Sequence, residues 1–232
     1  MHIQTAVRSR SAPTIPLAGL GREPVGTTLQ SIGSVCRFGR NQTIFSDGDE
    51  ATSSYKVISG AVRLVKLMPD GRRHIAGFRL AGDILGLEWT REYALTAEAV
   101  TDVTAVRYAR ALLERLEEER AEIRTQLTER LRSDLRAAHD HLVSLGCQSA
   151  KERVASFLLM LAHRGEVTDG EALDVPMGRQ DIADYLGLTI ETVCRTLSDL
   201  KDSSVIAIPN RHQIVIESID RLESIVDADS DP

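Results

Sequence analysis

Between Cys36 and Ala109 the chain alternates short apolar runs with turn residues: Thr43–Phe45, Tyr55–Ile58, Ala61–Val65, His74–Phe78 and Val103–Val106. Several of these runs alternate with a period of two, the pattern of half-buried antiparallel strands. Pro69-Asp70-Gly71 sits between two of them; proline fixes φ and glycine supplies a positive φ, so this is a turn. Gly48, Gly60, Gly71 and Gly82 recur at nearly even intervals. Evenly spaced turns between short strands predict a small barrel or roll.

From Arg110 the texture changes to Leu, Glu, Arg and Ala, with no Gly or Pro before Gly146. That is a helical composition. Leu131, Leu135, Ala138, Leu142 and Leu145 are spaced alternately by four and three, the seam of a two-stranded helical contact. The seam could also pack on the chain's own roll. Its confinement to one side, with Arg, Asp and His elsewhere, favours a second copy of the chain. Gly146-Cys147-Gln148-Ser149 interrupts the helix, and Ser149 with Glu152 forms a capping box that starts another. Beyond it, Val154–Leu161, Arg179–Leu186 and Ile190–Leu200 read as helices. Ile206–Ile208, Pro209–His212 and Ile214–Ile216 read as a hairpin. The expected fold is α+β in four parts. Residues 1–30, rich in Pro, Gly, Ser, Thr and Arg, form a flexible segment. Residues 31–110 form the roll, 111–146 the dimerisation helix, and 147–232 a winged helix-turn-helix unit with an acidic tail.

The 232 residues are 42% hydrophobic and 27% charged, an ordinary soluble composition. Aromatics are only 4%, so the cores rest on aliphatic side chains. No apolar run is long enough to span a membrane, and Met1–Gly21 lacks the apolar block of a secretory signal. Three distant cysteines (Cys36, Cys147, Cys194) fit a reducing, cytoplasmic setting. The net charge is −6. Residues 1–146 hold 20 basic and 18 acidic side chains, and residues 147–232 hold 8 and 16, a net of −8. Any nucleic-acid affinity of the second half must come from locally placed cations.

The densest information lies in Gly178–Leu200. Ala183 is small where two helices would touch. Gly187 stands at a turn that needs a left-handed residue, and Ile182, Leu186, Leu188, Val193 and Leu197 supply a shared core. Thr189 is a good N-cap for the second helix. A second helix entering a DNA major groove would meet base edges with Ile190, Glu191, Cys194 and Arg195. Arginine bonds guanine bidentately, glutamate accepts from cytosine, and Ile190 could touch a thymine methyl. Glu191 and Arg195, four apart, could instead pair with each other on the helix surface. Arg179, Gln180, Thr189, Thr192, Ser198, Lys201, Arg211 and His212 are candidates for phosphate contact.

These segments resemble the CRP/FNR superfamily of bacterial transcription regulators, and within it the FixK-type subgroup, over roughly residues 36–216. Phe45–Glu50, Val57–Leu64, Asp70–Phe78 and Gly82–Gly86 resemble the sensor roll, and Met177–Arg195 closely resembles the family's helix-turn-helix. The resemblance implies a homodimer, a twofold TTGAT-N4-ATCAA-like site read by Glu191 and Arg195, and RNA polymerase as the partner for activation. It implies a setting in nitrogen fixation and microaerobic control. Relatives that bind cyclic AMP carry an Arg-Ser pair in the stretch corresponding to Gly86–Val100. Here Glu88 is present but no such pair stands near Leu95-Thr96, so a cyclic phosphate would lack its cation and hydroxyl. Three scattered cysteines cannot supply the four thiolates of an iron–sulfur cluster. Haem ligation by His74 or His139 is a weaker reading than an ordinary surface or core histidine, and His139 and His141 point to different faces. The expectation is a regulator without metal, cofactor or effector. Oxidation of Cys194 beside DNA would weaken binding. No phosphate-binding glycine loop, Gly-x-Ser-x-Gly or His-Glu-x-x-His motif supports an enzyme. The alternative is a ligand-sensing regulatory protein whose C-terminal unit binds protein.

Overall fold

The computed structural model describes residues 33–227 apart from Trp89. The flexible segment expected at 1–30 lies outside the described residues.

Eight strands build the roll: β1 (Ser34–Phe38), β2 (Thr43–Phe45), β3 (Ser53–Ser59), β4 (Val62–Leu67), β5 (Arg73–Arg79), β6 (Ile84–Leu85), β7 (Thr96–Ala99) and β8 (Val103–Ala109). They pair antiparallel in two four-stranded sheets, ordered β1-β8-β3-β6 and β2-β7-β4-β5. Alternate residues turn inward, and Phe45, Tyr55, Val57, Val62, Tyr93 and Ala97 form the core between the sheets. Phe45 and Tyr93 stack at 3.8 Å. Gly60 has φ +88°, and a Cβ there would lie 2.3 Å from the Asp102 carbonyl oxygen. Only glycine fits that turn.

The helix expected at 111–146 is two helices, α1 (Arg110–Glu119) and α2 (Ala121–Cys147). Arg120 between them is extended, with φ −132° and ψ 105°. Leu113 and Leu116 of α1 and Ile123 and Leu127 of α2 bury in one cluster with Val106 and Tyr108. A straight helix, rising about 1.5 Å per residue, would spread these side chains along its axis; the break at Arg120 lets both sets meet the same patch of the roll. Further along α2 the seam loses cover. Leu131 and Leu145 are half-buried, Ala138 is exposed, and Leu135 and Leu142 are 57% and 64% exposed.

The C-terminal unit comprises α3 (Ala150–Gly165), β9 (Ala172–Asp174), α4 (Arg179–Leu186), α5 (Ile190–Asp202), β10 (Ile206–Asn210), β11 (Gln213–Ile216) and α6 (Ile219–Asp227). The Ser149–Glu152 capping box that opens α3 is formed in both directions. The hairpin is joined by β9 into a sheet ordered β10-β11-β9. The stretch after Ile216 is not simply an acidic tail. Through Asp227 it forms α6, packed on α3, with Leu222 fully buried. Its start is held by the Ile219 N–H donating to Asp169 (2.7 Å).

One core spans the expected boundary at residue 147. Ala61, Val65, Ile75, Phe78 and Val100 of the roll share a cluster with Phe157, Leu158 and Tyr185 of the C-terminal unit. Tyr185 lies 5.3 Å from the Phe78 ring and stacks on His141 of α2 at 4.0 Å. Burial holds the His141 imidazole below its usual pKa, so at neutral pH the stack is uncharged. Truncating Leu222 to Ala should cost about 2–5 kcal/mol by emptying a closed site. Urea unfolding of the full chain measures it; a loss near zero would mean that α6 is not part of the core.

Candidate nucleic-acid interface

Helices α4 and α5 cross at Gly187, which adopts φ 63° and ψ 35°. Ala183 is fully buried at the crossing, and its carbonyl accepts from the Leu188 N–H (3.0 Å). Thr189 caps α5 as expected: its hydroxyl oxygen accepts from the Thr192 N–H at 3.2 Å. One arginine that the sequence pattern did not single out closes the turn from behind. Arg153 of α3 donates to the carbonyls of Leu145 (2.8 Å), Gln148 (2.9 Å) and Leu186 (3.0 Å). Those carbonyls lie at the C-terminal ends of α2 and α4, where backbone acceptors lack helical partners and attract cations.

Helical periodicity then divides α5. Val193, Thr196, Leu197 and Leu200 are buried, whereas Glu191, Cys194, Arg195 and Ser198 are exposed along one stripe. Ile190 is half-buried against the core. Among the described residues no ion pair joins Glu191 to Arg195; the nearer partners of Glu191 are its own backbone N–H and the Thr189 hydroxyl. They hold its carboxyl below the usual range, so at neutral pH Glu191 is an acceptor only. The Cys194 thiol is exposed at the middle of the stripe.

The structure gathers several of the other candidates near this stripe. Arg179 begins α4, half-buried, and its Nη1 is buried without a hydrogen-bond partner. Burial, and the neighbouring Arg211 charge, work against the Arg179 guanidinium, which makes it a cation short of an anion. Arg211 is exposed at the hairpin turn. His212 is half-buried beside it, with Nδ1 3.3 Å from the Val175 carbonyl. Three candidates are already engaged: Gln180 Nε2 donates to Asp184 (2.6 Å), Ser198 donates to the Cys194 carbonyl (3.0 Å), and Thr192 is taken up by the cap. Lys201 is not brought to the stripe. It stands roughly 15 Å beyond Glu191 along the helix, beside Ser204 and Glu217.

Two of the acids that make the C-terminal half negative face away from the stripe. Asp181 and Asp184 of α4 turn toward the roll and meet Arg63 and Arg73. Between the roll and α2 lies a cavity of about 210 Å³ whose charged lining is Arg79, Glu88 and Asp134. The Arg79 guanidinium lies 3.5 Å from Asp134.

Two helices crossed at a left-handed glycine, an exposed polar stripe on the second and a β-hairpin beside it define a winged helix-turn-helix DNA-binding unit, here carried on a β-roll. Comparison with known proteins agrees. A family model described as a Crp-like helix-turn-helix domain matches residues 152–225, and one described as a cyclic nucleotide-binding domain matches residues 35–120. The chain is 44% identical over 185 residues to the nitrogen fixation regulation protein FixK of Bradyrhizobium diazoefficiens, covering 78% of this chain and 77% of the relative. It is 40% identical over 202 residues to FixK of Azorhizobium caulinodans, covering 84% and 82%. The solved structure of FixK2 from Bradyrhizobium japonicum superposes with a TM-score of 0.79 at 36% identity, covering 84% of this chain and 97% of that one. The chain belongs to the CRP/FNR superfamily, in its FixK-type subgroup, and is a DNA-binding transcription regulator rather than an enzyme. Among the described residues no helix is long and apolar enough to cross a membrane.

Gly187→Ala should cost about 1–2 kcal/mol, because an L residue resists the left-handed conformation. The new Cβ would also sit 3.4 Å from Leu145 and 3.7 Å from Arg153. Thermal unfolding measures this, and an unchanged midpoint would deny the turn its strain.

Proposed function

We propose that the chain acts in the cytoplasm as a homodimer on a twofold-symmetric TTGAT-N4-ATCAA-like duplex and activates transcription there together with RNA polymerase. Ile190, Glu191, Cys194 and Arg195 read bases, and Arg179 and Arg211 hold phosphates. The observation that carries this reading is the exposed stripe Glu191–Cys194–Arg195 on a capped helix whose opposite face is buried. Glu191, ionised and unpaired with Arg195, is free to accept from cytosine, and Arg195 to grip guanine. Arg179, half-buried and without an acidic partner among the described residues, suits a phosphate. The names of the FixK relatives support a role in nitrogen-fixation regulation.

Dimerisation rests on the uncovered seam. Ile123 and Leu127 near the start of α2 are buried on the roll, whereas Leu135 and Leu142 further along stand exposed, and a second α2 laid along the seam would cover both. A dimer built about that seam would offer two reading helices to half-sites about one helical turn apart, roughly 34 Å. The roll works without a cyclic nucleotide: its cavity sets Glu88 and Asp134 against one arginine already beside an acid, a poor host for a phosphate.

Retention of the palindromic duplex over a scrambled one in a gel shift tests the reading; equal retention would favour the protein-binding alternative. Arg195→Ala should lose about 1–3 kcal/mol on the matched duplex and relax base choice at one position, whereas Arg211→Ala should weaken matched and scrambled duplexes alike. A uniform loss with Arg195→Ala would remove it from base reading. The double variant Leu135→Asp/Leu142→Asp should sediment as a monomer and lose the duplex; a dimer of unchanged stability would place the interface elsewhere.

A further inference from the structure

Helix α4 is held to the roll by charge. Arg73 of β5 donates through Nε to Asp184 (2.8 Å) and through Nη2 to Asp181 (2.8 Å). Arg63 of β4 reaches Asp181 from the other side (3.2 Å) and is itself steadied by Glu98 (2.8 Å) and Asn41 (3.3 Å). The side chains are largely withdrawn from water, Asp181 at 10% and Asp184 at 13% exposed. Salt screens such pairs less than surface ones.

Helix stability does not account for this cluster. Asp181 lies in the first turn of α4, where an acid is favourable anyway. Asp184 lies near the C-terminal end of the same helix, against the helix dipole. Its partners are Arg73 and the Gln180 amide, which donates at 2.6 Å. The gripped helix is also the one whose two ends set the reading surface. Arg179 and Gln180 open it, and Gly187 closes it and aims α5. The gripped side chains face the roll, and Glu191, Cys194 and Arg195 stay exposed. The contact therefore fixes the orientation of the reading helix without covering it.

We propose that Arg63 and Arg73 are positioning residues for DNA reading: through Asp181 and Asp184 the roll itself clamps the helix-turn-helix in its reading orientation. In a roll that holds no effector, this constant electrostatic contact sets the fraction of molecules able to bind. This inference rests on the DNA-reading proposal above.

The test uses the full chain with Arg73→Gln, Arg73→Asp, Asp184→Asn and the exchanged double variant Arg73→Asp/Asp184→Arg. Affinities for the palindromic and scrambled duplexes are measured at one salt concentration, scaled to the folded, titratable fraction. If release of the clamp leaves a tenth of molecules correctly oriented, palindrome affinity falls about tenfold. That fall is expected for Arg73→Gln and Asp184→Asn with scrambled-duplex affinity little changed, and the exchanged variant should recover much of what Arg73→Asp loses. Unchanged or increased palindrome affinity in both neutral variants overturns the proposal. Hydrogen exchange of α4 and α5 amides in the free protein supplies an arm that needs no DNA. Faster exchange in the neutral variants supports the clamp, and identical exchange overturns it. A wild-type protein that does not prefer the palindrome refutes the proposed site, while the exchange arm still decides the clamp.

Discussion

Everything distinctive about this chain passes through the turn at Gly187. Left-handed backbone there lets α4 and α5 cross at fully buried Ala183 and share the core of Ile182, Leu186, Val193 and Leu197. Once those apolar positions point inward, the helical repeat leaves Glu191, Cys194, Arg195 and Ser198 no direction but outward. Arg153 reinforces the turn by binding the carbonyl ends of both α2 and α4.

Charge placement eases the tension between an acidic C-terminal half and DNA binding. Bulk charge says little about a protein whose charges are sorted by face. Asp181 and Asp184 are neutralised by roll arginines, and Asp169 is spent on the start of α6. Near the stripe stand half-buried Arg179 and exposed Arg195 and Arg211, none of them in an ion pair among the described residues. The same arginine–aspartate contacts join the two halves into one body, alongside the shared core around Phe78, Phe157 and Tyr185.

Much of this was legible from residue spacing. Period-two runs and regular glycines located the roll, and the 178–200 segment located the crossing helices, because both signals are local. The break at Arg120 was not legible: no Gly or Pro marks it, and its cause is the site on the roll where Val106 and Tyr108 pack against Leu113 and Leu116 from one side of the break and Ile123 and Leu127 from the other. Strand β9 has three residues, too few for a periodic signal. Helix α6 did carry one, since Ile219, Leu222 and Ile225 recur by threes, but its acids led to its being read as tail. Arg153 leaves no pattern because its partners are backbone carbonyls. Arg63 and Arg73 lie more than a hundred residues from their aspartates, beyond any local signal. The Asp184 carboxylate near a helix C-terminus was the one hint available.

The central claim is that Arg195 on α5 reads guanine in the major groove. Dimethyl sulfate methylates guanine N7 in that groove and adenine N3 in the minor groove, so methylation interference on the palindromic duplex separates the two. The account predicts that methylated guanine in either half-site blocks binding, symmetrically about the dyad. Binding that tolerates guanine methylation in both half-sites, or that is blocked only by methylated adenine, would contradict it.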